Sequence, residues 1–173
     1  MQKGIISRLI IDEILISLKN EFINFDYVFV KKTKNKNISL SDKKLIQNVV
    51  FCCMRNFLPI NKIINLYVKK INYNSGDYFL ILSGIAQIIF LNFKDYAVVN
   101  TTVEIAKKKN DANPKFINGL LRNIIKNKNK IKIQSNFQDL PKWFVKKNNN
   151  WNKKQKINFV KTIKEKPSLH IVF

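Results

Sequence analysis

The residues whose types suit catalysis are few and badly spaced for it. One histidine, His170, and two adjacent cysteines, Cys52 and Cys53, are the only imidazole and thiols among 173 residues. A protein-bound metal needs three or four spaced ligands, which this set cannot supply. A hydrolytic triad needs a histidine steered by a carboxylate, and His170 has none nearby in sequence. Glycine occurs only at positions 4, 76, 84 and 119, so neither a dinucleotide fingerprint nor a P-loop can be built. Asp12 and Glu13 are neighbours in a helical pattern and point to different parts of its surface, so they make no acid–base dyad. No cofactor is therefore expected: a dinucleotide, S-adenosylmethionine or nucleotide-phosphate cradle of the usual kind is lacking. What remains is binding chemistry, and its most specific stretch is Asp95 to Lys126, where Asn118, Arg122 and Asn123 form a polar run beside Gly119.

Charge points the same way. The chain carries 32 Lys+Arg against 11 Asp+Glu, a formal net charge of +21. A field of that sign attracts polyanions, either nucleic acid or an anionic membrane surface. Arginine appears only at Arg8, Arg55 and Arg122, and the surplus of Lys with Asn and Ile is also what a drift in genomic base composition produces. The distribution favours function over drift alone. The first 30 residues hold three basic and four acidic side chains, whereas Lys126 to Lys166 holds thirteen basic and two acidic.

With four Gly and four Pro, the chain suits helices joined by short polar loops, and the expected fold class is all-α. Ile6, Leu9, Ile10, Ile14 and Leu18 place one helix at Gly4 to Asn20 with Asp12 and Glu13 facing outward. Lys31 to Asn37 is expected to be a mobile basic loop. Ser41 or Asp42 opens the second helix, with Leu45, Val49, Cys52 and Cys53 as its buried stripe. Arg55, near its end, either faces the terminal carbonyls or contacts phosphate. Pro59 starts the third helix, on Ile60, Ile63, Ile64, Tyr67 and Val68. Ser75 or Asp77 caps a fourth, apolar all round and therefore central.

Gly84 within that fourth helix costs roughly 1 kcal/mol of helix propensity against Ala, which a close helix crossing would explain. In the stretch from Asp95, Val98, Thr102, Ile105 and Ala106 bury one side of a helix. Asn113 then caps the next helix, Pro114 takes its first turn, and Phe116, Leu120, Leu121 and Ile124 are buried. Gly119 is expected to let a neighbouring helix approach.

After a Lys/Asn-rich linker, Pro141 begins a short helix and Lys153 to Glu165 a last one with Ile157, Val160 and Ile163 on one side. The aromatic residues there, Phe137, Trp143, Phe144, Trp151 and Phe159, are interleaved with Lys. They suit stacking on unpaired bases, while Trp143 and Phe159 also suit a core. Ser168 to Phe173, with His170, reads as an orphan strand that a following domain would pair. The N-terminus lacks a signal-peptide cleavage site, and the longest apolar run, Tyr78 to Leu91, is too short to span a bilayer. The adjacent cysteines are expected to be buried thiols, and the location cytoplasmic.

Several of these segments together resemble the NusB/RsmB family, and more closely the N-terminal RNA-binding domain of RsmB-type (Sun-like) 16S rRNA cytosine-5 methyltransferases. Ser41-Asp42-Lys43-Lys44 and Met54-Arg55 are similar to a helix start and a later Leu-Arg pair of the family. Leu82-Ser83-Gly84-Ile85-Ala86-Gln87 is similar to its Leu-x-Gly-x-x-Gln. Phe116-Ile117-Asn118-Gly119-Leu120-Leu121-Arg122-Asn123-Ile124 is similar to its Phe-Val-Asn-Ala/Gly-Val-Leu-Arg-x-Ile. Leu140-Pro141-x-Trp143 and Lys166-Pro167-Ser168-Leu169-His170-Ile171 follow the pattern by which the methyltransferases leave this domain.

The resemblance implies a bundle of about seven to eight helices in two helical subdomains. It also implies an RNA-binding domain at residues 1–135, then residues 136–173 leading toward a catalytic domain that they do not contain. The expected RNA contacts are Lys43, Lys44, Arg55, Lys115, Asn118, Arg122 and Lys126, on structured rRNA; for Arg122 and Asn118 a structural role stands equally open, in which Arg122 bonds the preceding helix and Asn118 holds the loop. Two alternatives are a free-standing antitermination factor that binds RNA with a ribosomal-protein partner, and the scaffold remnant of a truncated gene.

Overall fold

A computed structural model describes residues 4–21, 23–131 and 136–163. Among these it contains the α-helices α1 (Ile5–Glu21), α2 (Phe25–Thr33), α3 (Leu40–Arg55), α4 (Phe57–Tyr67), α5 (Gly76–Ile85), α6 (Asp95–Ala106), α7 (Pro114–Lys126), α8 (Lys142–Lys147) and α9 (Lys153–Thr162), and no strand. The fold is all-α, as expected, with one helix more than the sequence pattern predicts. The expected strand at Ser168–Phe173 lies outside the described residues. The chain divides into two units, Met1–Ile131 with α1 to α7 and Lys132–Phe173 with α8 and α9. Among the described residues no helix is long and apolar enough to cross a membrane.

Helix α5 is the axis of the first unit. Every residue from Tyr78 to Ile85 is buried, because α1, α3, α4, α6 and α7 all pack against it. A helix that is apolar all round can only be accommodated in that position. Ser75 stands at its N-cap, but its hydroxyl donates to Asn72 O at 2.8 Å. The Asp77 carboxylate instead accepts the Asn113 N–H at 2.6 Å, and the Gly76 N–H donates to Asp111 O at 3.2 Å. The start of α5 thereby holds the loop that feeds α7.

At Gly84, α5 comes close to α7. A Cβ built there would lie 3.2 Å from both methyls of Leu121, itself fully buried. Gly84→Val should therefore lower unfolding free energy by about 2 kcal/mol, the cost of overpacking a filled core. Urea melts of the variant measure this, and Gly84→Val with Leu121→Ala should recover part of the loss.

Beyond Ile85 the helix widens into a π-turn over Ala86–Phe90, with the Leu91 N–H reaching Ala86 O at 3.1 Å. Asn92, at φ 51°, ends it in the left-handed conformation that Asn tolerates. The turn places Gln87 inward at 1% exposure. Its Oε1 accepts from Arg8 Nε at 2.8 Å and its Nε2 donates to Ser83 O at 3.0 Å, so this buried amide is satisfied at both ends. Ile89 and Phe90, in the last part of this turn, are only half-buried.

Helix α1 departs from the expected face. Ile5, Ile10, Ile11, Ile14 and Leu15 are buried, while Ile6, Leu9 and Leu18 are half-buried, because α2, α3, α5 and α6 wrap it from several sides. Asp12, expected to face outward, is 2% exposed and pairs with Lys109 Nζ at 2.7 Å. Its Oδ1 has no hydrogen-bond partner. Burial pushes the Asp12 carboxyl above its ordinary range, although the hydrogen bond and charge of Lys109 pull it back.

Lys31 to Asn37 is likewise not a free loop. Lys31, Lys32 and Thr33 complete α2, and Lys32 and Lys36 reach Glu13 Oε2 at 3.7 and 3.3 Å. Helix α3 is capped by Ser39, whose Oγ accepts the Asp42 N–H at 3.1 Å, two or three residues before the expected Ser41 or Asp42. Ile46 and Val50 join Val49, Cys52 and Cys53 in its buried stripe, and Leu45 is half-buried. Burial raises both thiols, Cys53 well above its ordinary value, so they stay neutral. Helix α4 starts at Phe57, two residues before Pro59, which fits the first turn because the N–H groups there have no helical acceptor.

Candidate nucleic-acid interface

Helix α7 begins as its sequence dictates. Asn113 Oδ1 accepts the Phe116 N–H at 3.1 Å, and Pro114 occupies the first helical position, where its missing N–H is not needed. Ile117, Leu120, Leu121 and Ile124 face the core, with Phe116 half-buried. The helix is sharply amphipathic, and its opposite face carries Lys115, Gly119, Arg122 and Lys126, all exposed. Positions i, i+4, i+7 and i+11 fall on one stripe, so three cations line up over roughly 16 Å at 1.5 Å per residue.

None of these three cations forms an ion pair among the described residues. Arg122 Nε donates to Asn118 Oδ1 at 3.1 Å, one turn earlier on its own helix, so it does not bond the preceding helix. That bond orients the guanidinium along the helix and leaves its other N–H groups directed at solvent. Gly119, expected to admit a neighbouring helix, is exposed, and a Cβ there would meet nothing within 4 Å. It forms a low point on the cationic stripe where a partner's backbone can approach.

The remaining expected contacts lie elsewhere. Lys43 and Lys44 are exposed in the first turn of α3, and Arg55 is exposed in its last. Arg55 makes no hydrogen bond to the terminal carbonyls; Asn56 Nδ2 does so, donating to Cys52 O at 3.0 Å. Lys44 and Arg55 share a stripe with Asn48 and Phe51, all exposed. Helices α3 and α7 both pack on α5, so the cations divide into two stripes instead of one cluster. Periodicity alone could have found the α7 stripe, Gly119 included, had positions 115, 119, 122 and 126 been read as one solvent face.

In the second unit, Phe137 is buried with Phe144 and Trp151 against it. Phe144 stacks on Phe159 with centroids 5.0 Å apart, and Trp151 lies 5.3 Å from Phe159. Phe159 thus belongs to a core, as one of its two expected roles required, but Trp143 does not: it is 68% exposed. Ile157 and Ile163 are also exposed, leaving Val160 as the buried member of the expected α9 stripe.

A family model for the NusB family matches residues 6–126, which spans α1 to α7 and stops before the second unit. No curated protein matches the chain.

Proposed function

Because the chain belongs to the NusB family, we propose that it binds structured RNA without catalysing a reaction on it, and that it is the RNA-recognition part of an S-adenosylmethionine-dependent 16S rRNA cytosine-5 methyltransferase. The observation that carries RNA binding is the α7 stripe: Lys115, Arg122 and Lys126 exposed on one face, with no acidic partner among the described residues. Cations so placed release counterions from a phosphate backbone when they dock, which supplies most of the affinity for RNA. Lys43, Lys44 and Arg55 add a second phosphate-binding line on α3. The methyltransferase assignment rests on the similarity of Leu140-Pro141-x-Trp143 and Lys166 to Ile171 to the way those enzymes leave this domain.

A second reading, a free-standing antitermination factor that binds RNA together with a small ribosomal protein, is favoured by one apolar surface. Phe51, Met54, Phe57 and Leu58 are exposed where α3 meets α4. Beside them opens a recess of about 310 Å³ lined by Leu15, Cys53, Met54, Phe57 and Phe79. Surface of this kind suits a protein partner.

Titration of the purified chain with helix–loop fragments of 16S rRNA, against unrelated hairpins of equal length, tests the proposal. The methyltransferase reading expects at least tenfold preference for one 16S fragment. Equal affinity for all hairpins would contradict the rRNA assignment, and tight binding only with a ribosomal protein present would favour the second reading. The DNA after the codon for Phe173 separates the same two: an open methyltransferase frame supports the first.

A further inference from the structure

In the second unit, the aromatic core is complete without Trp143. Phe144 and Trp151 contact each other and both Phe137 and Phe159, at centroid distances of 5.0 to 6.1 Å. Trp143 touches this cluster only at Phe144, at 5.6 Å and an interplanar angle of 83°. That perpendicular contact restrains the indole while two-thirds of the residue stays in solvent. A large aromatic held this way is poor packing and a good platform.

The surrounding charge identifies what the platform fits. Between Asn136 and Ile163 the chain carries seven lysines and one acid, Asp139. Lys142 adjoins Trp143, and Lys146 and Lys147 stand three and four residues further along α8, on the same side of the helix. All three are exposed, and none forms an ion pair among the described residues. Lysine is depleted from protein–protein interfaces, whereas an aromatic ringed by lysines is the arrangement that holds unpaired bases by stacking and their phosphates by charge.

We propose that Trp143 is a stacking platform for an unpaired base, and that the second unit binds a single-stranded stretch of RNA with Lys142, Lys146 and Lys147 on its phosphates. This rests on the RNA-binding reading above and adds a distinct ligand class, single-stranded in place of helix–loop RNA, at residues outside the family match.

The chain has two tryptophans, so emission reads the site directly. Trp143 emission is followed in the Trp151→Phe variant, and, should that variant not fold, as the difference between the native chain and Trp143→Ala. The expected result is quenching by oligouridylate and none by an abasic oligonucleotide of equal charge. Trp143→Ala should weaken oligouridylate binding about tenfold, leaving its salt slope and the affinity for hairpin RNA unchanged. Equal quenching by the abasic strand would overturn the proposal. So would unchanged oligouridylate affinity in Trp143→Ala while hairpins still bind, an outcome that leaves the RNA reading standing. A concentration-dependent blue shift without RNA, meaning a second copy covers Trp143, would overturn it too. Failure to bind either RNA would sink both readings together.

Discussion

Lys109→Met should destabilise the first unit by about 3 kcal/mol at pH 7, the usual cost of breaking a buried ion pair by removing one member. Asp12 is 2% exposed, and among the described residues Lys109 Nζ is the one side chain that hydrogen-bonds its carboxylate, whose second oxygen is unpartnered. Without Lys109 the carboxylate remains buried with nothing to offset its charge. The pH dependence has a definite sign. Burial already holds the Asp12 carboxyl above its ordinary value, and Lys109, which pulls it down, would be gone. A carboxyl raised in the folded state binds its proton before the unfolded chain does. Stability therefore increases as pH falls through the folded value and levels off below the unfolded value of about 4. The deficit relative to the native chain should accordingly shrink between pH 7 and pH 4.5. Chemical denaturation at both pH values measures it, and Asp12→Asn combined with Lys109→Met should be more stable than Lys109→Met alone. A loss under about 1 kcal/mol with no pH dependence would mean that water reaches Asp12 easily.

The largest expected effect on binding comes from the α7 stripe. On the proposed reading, replacing Lys115, Arg122 and Lys126 together by Ala takes away three phosphate contacts. At 0.1 M salt each contributes close to a factor of eight through counterion release, so affinity for helix–loop RNA should fall roughly 500-fold. Stability should change little, since exposed substitutions away from the core usually stay within about 0.5 kcal/mol each. The one bond lost is Arg122 to Asn118, on the surface of the same helix. A fall in melting temperature with unchanged affinity would assign these residues to the fold instead.

What the sequence disclosed follows physical range. The start of α7 was legible because Asn113 and Pro114 act on their own helix, within three residues. The central place of α5 was legible because a helix apolar on all sides has no alternative. Gly84 and Gly119 were read alike, as sites of close approach, yet only Gly84 meets a neighbour. The difference lay in helical phase: Gly119 is opposite Ile117, Leu121 and Ile124, on the side that also bears Lys115 and Arg122. Asp12 was misplaced because its partner is 97 residues away, and the Arg8–Gln87 pair spans 79. Nothing local marks such pairings. Helix α2 was missed because its closing Lys31 and Lys32 belong to a basic run that resembles a solvated loop, although both lie in helix and Lys32 reaches Glu13.

The family motifs take on distinct roles in the fold. In Leu82 to Gln87, the glycine admits Leu121 and the glutamine receives Arg8, so this motif maintains packing. In Phe116 to Ile124, Ile117, Leu120, Leu121 and Ile124 are buried while Asn118 and Arg122 bond each other at the surface. Of these two motifs, the second is the one that presents polar groups at the surface.

The most direct test of RNA binding by the α7 stripe is the salt dependence of hairpin-RNA affinity for the native chain and the triple Ala variant, measured side by side from 50 to 300 mM. Three lost phosphate contacts predict log–log slopes that differ by roughly 2.7, at about 0.9 per contact, with the native chain the steeper. Equal slopes, or no binding by the native chain at the lowest salt, would contradict an RNA-binding face on α7.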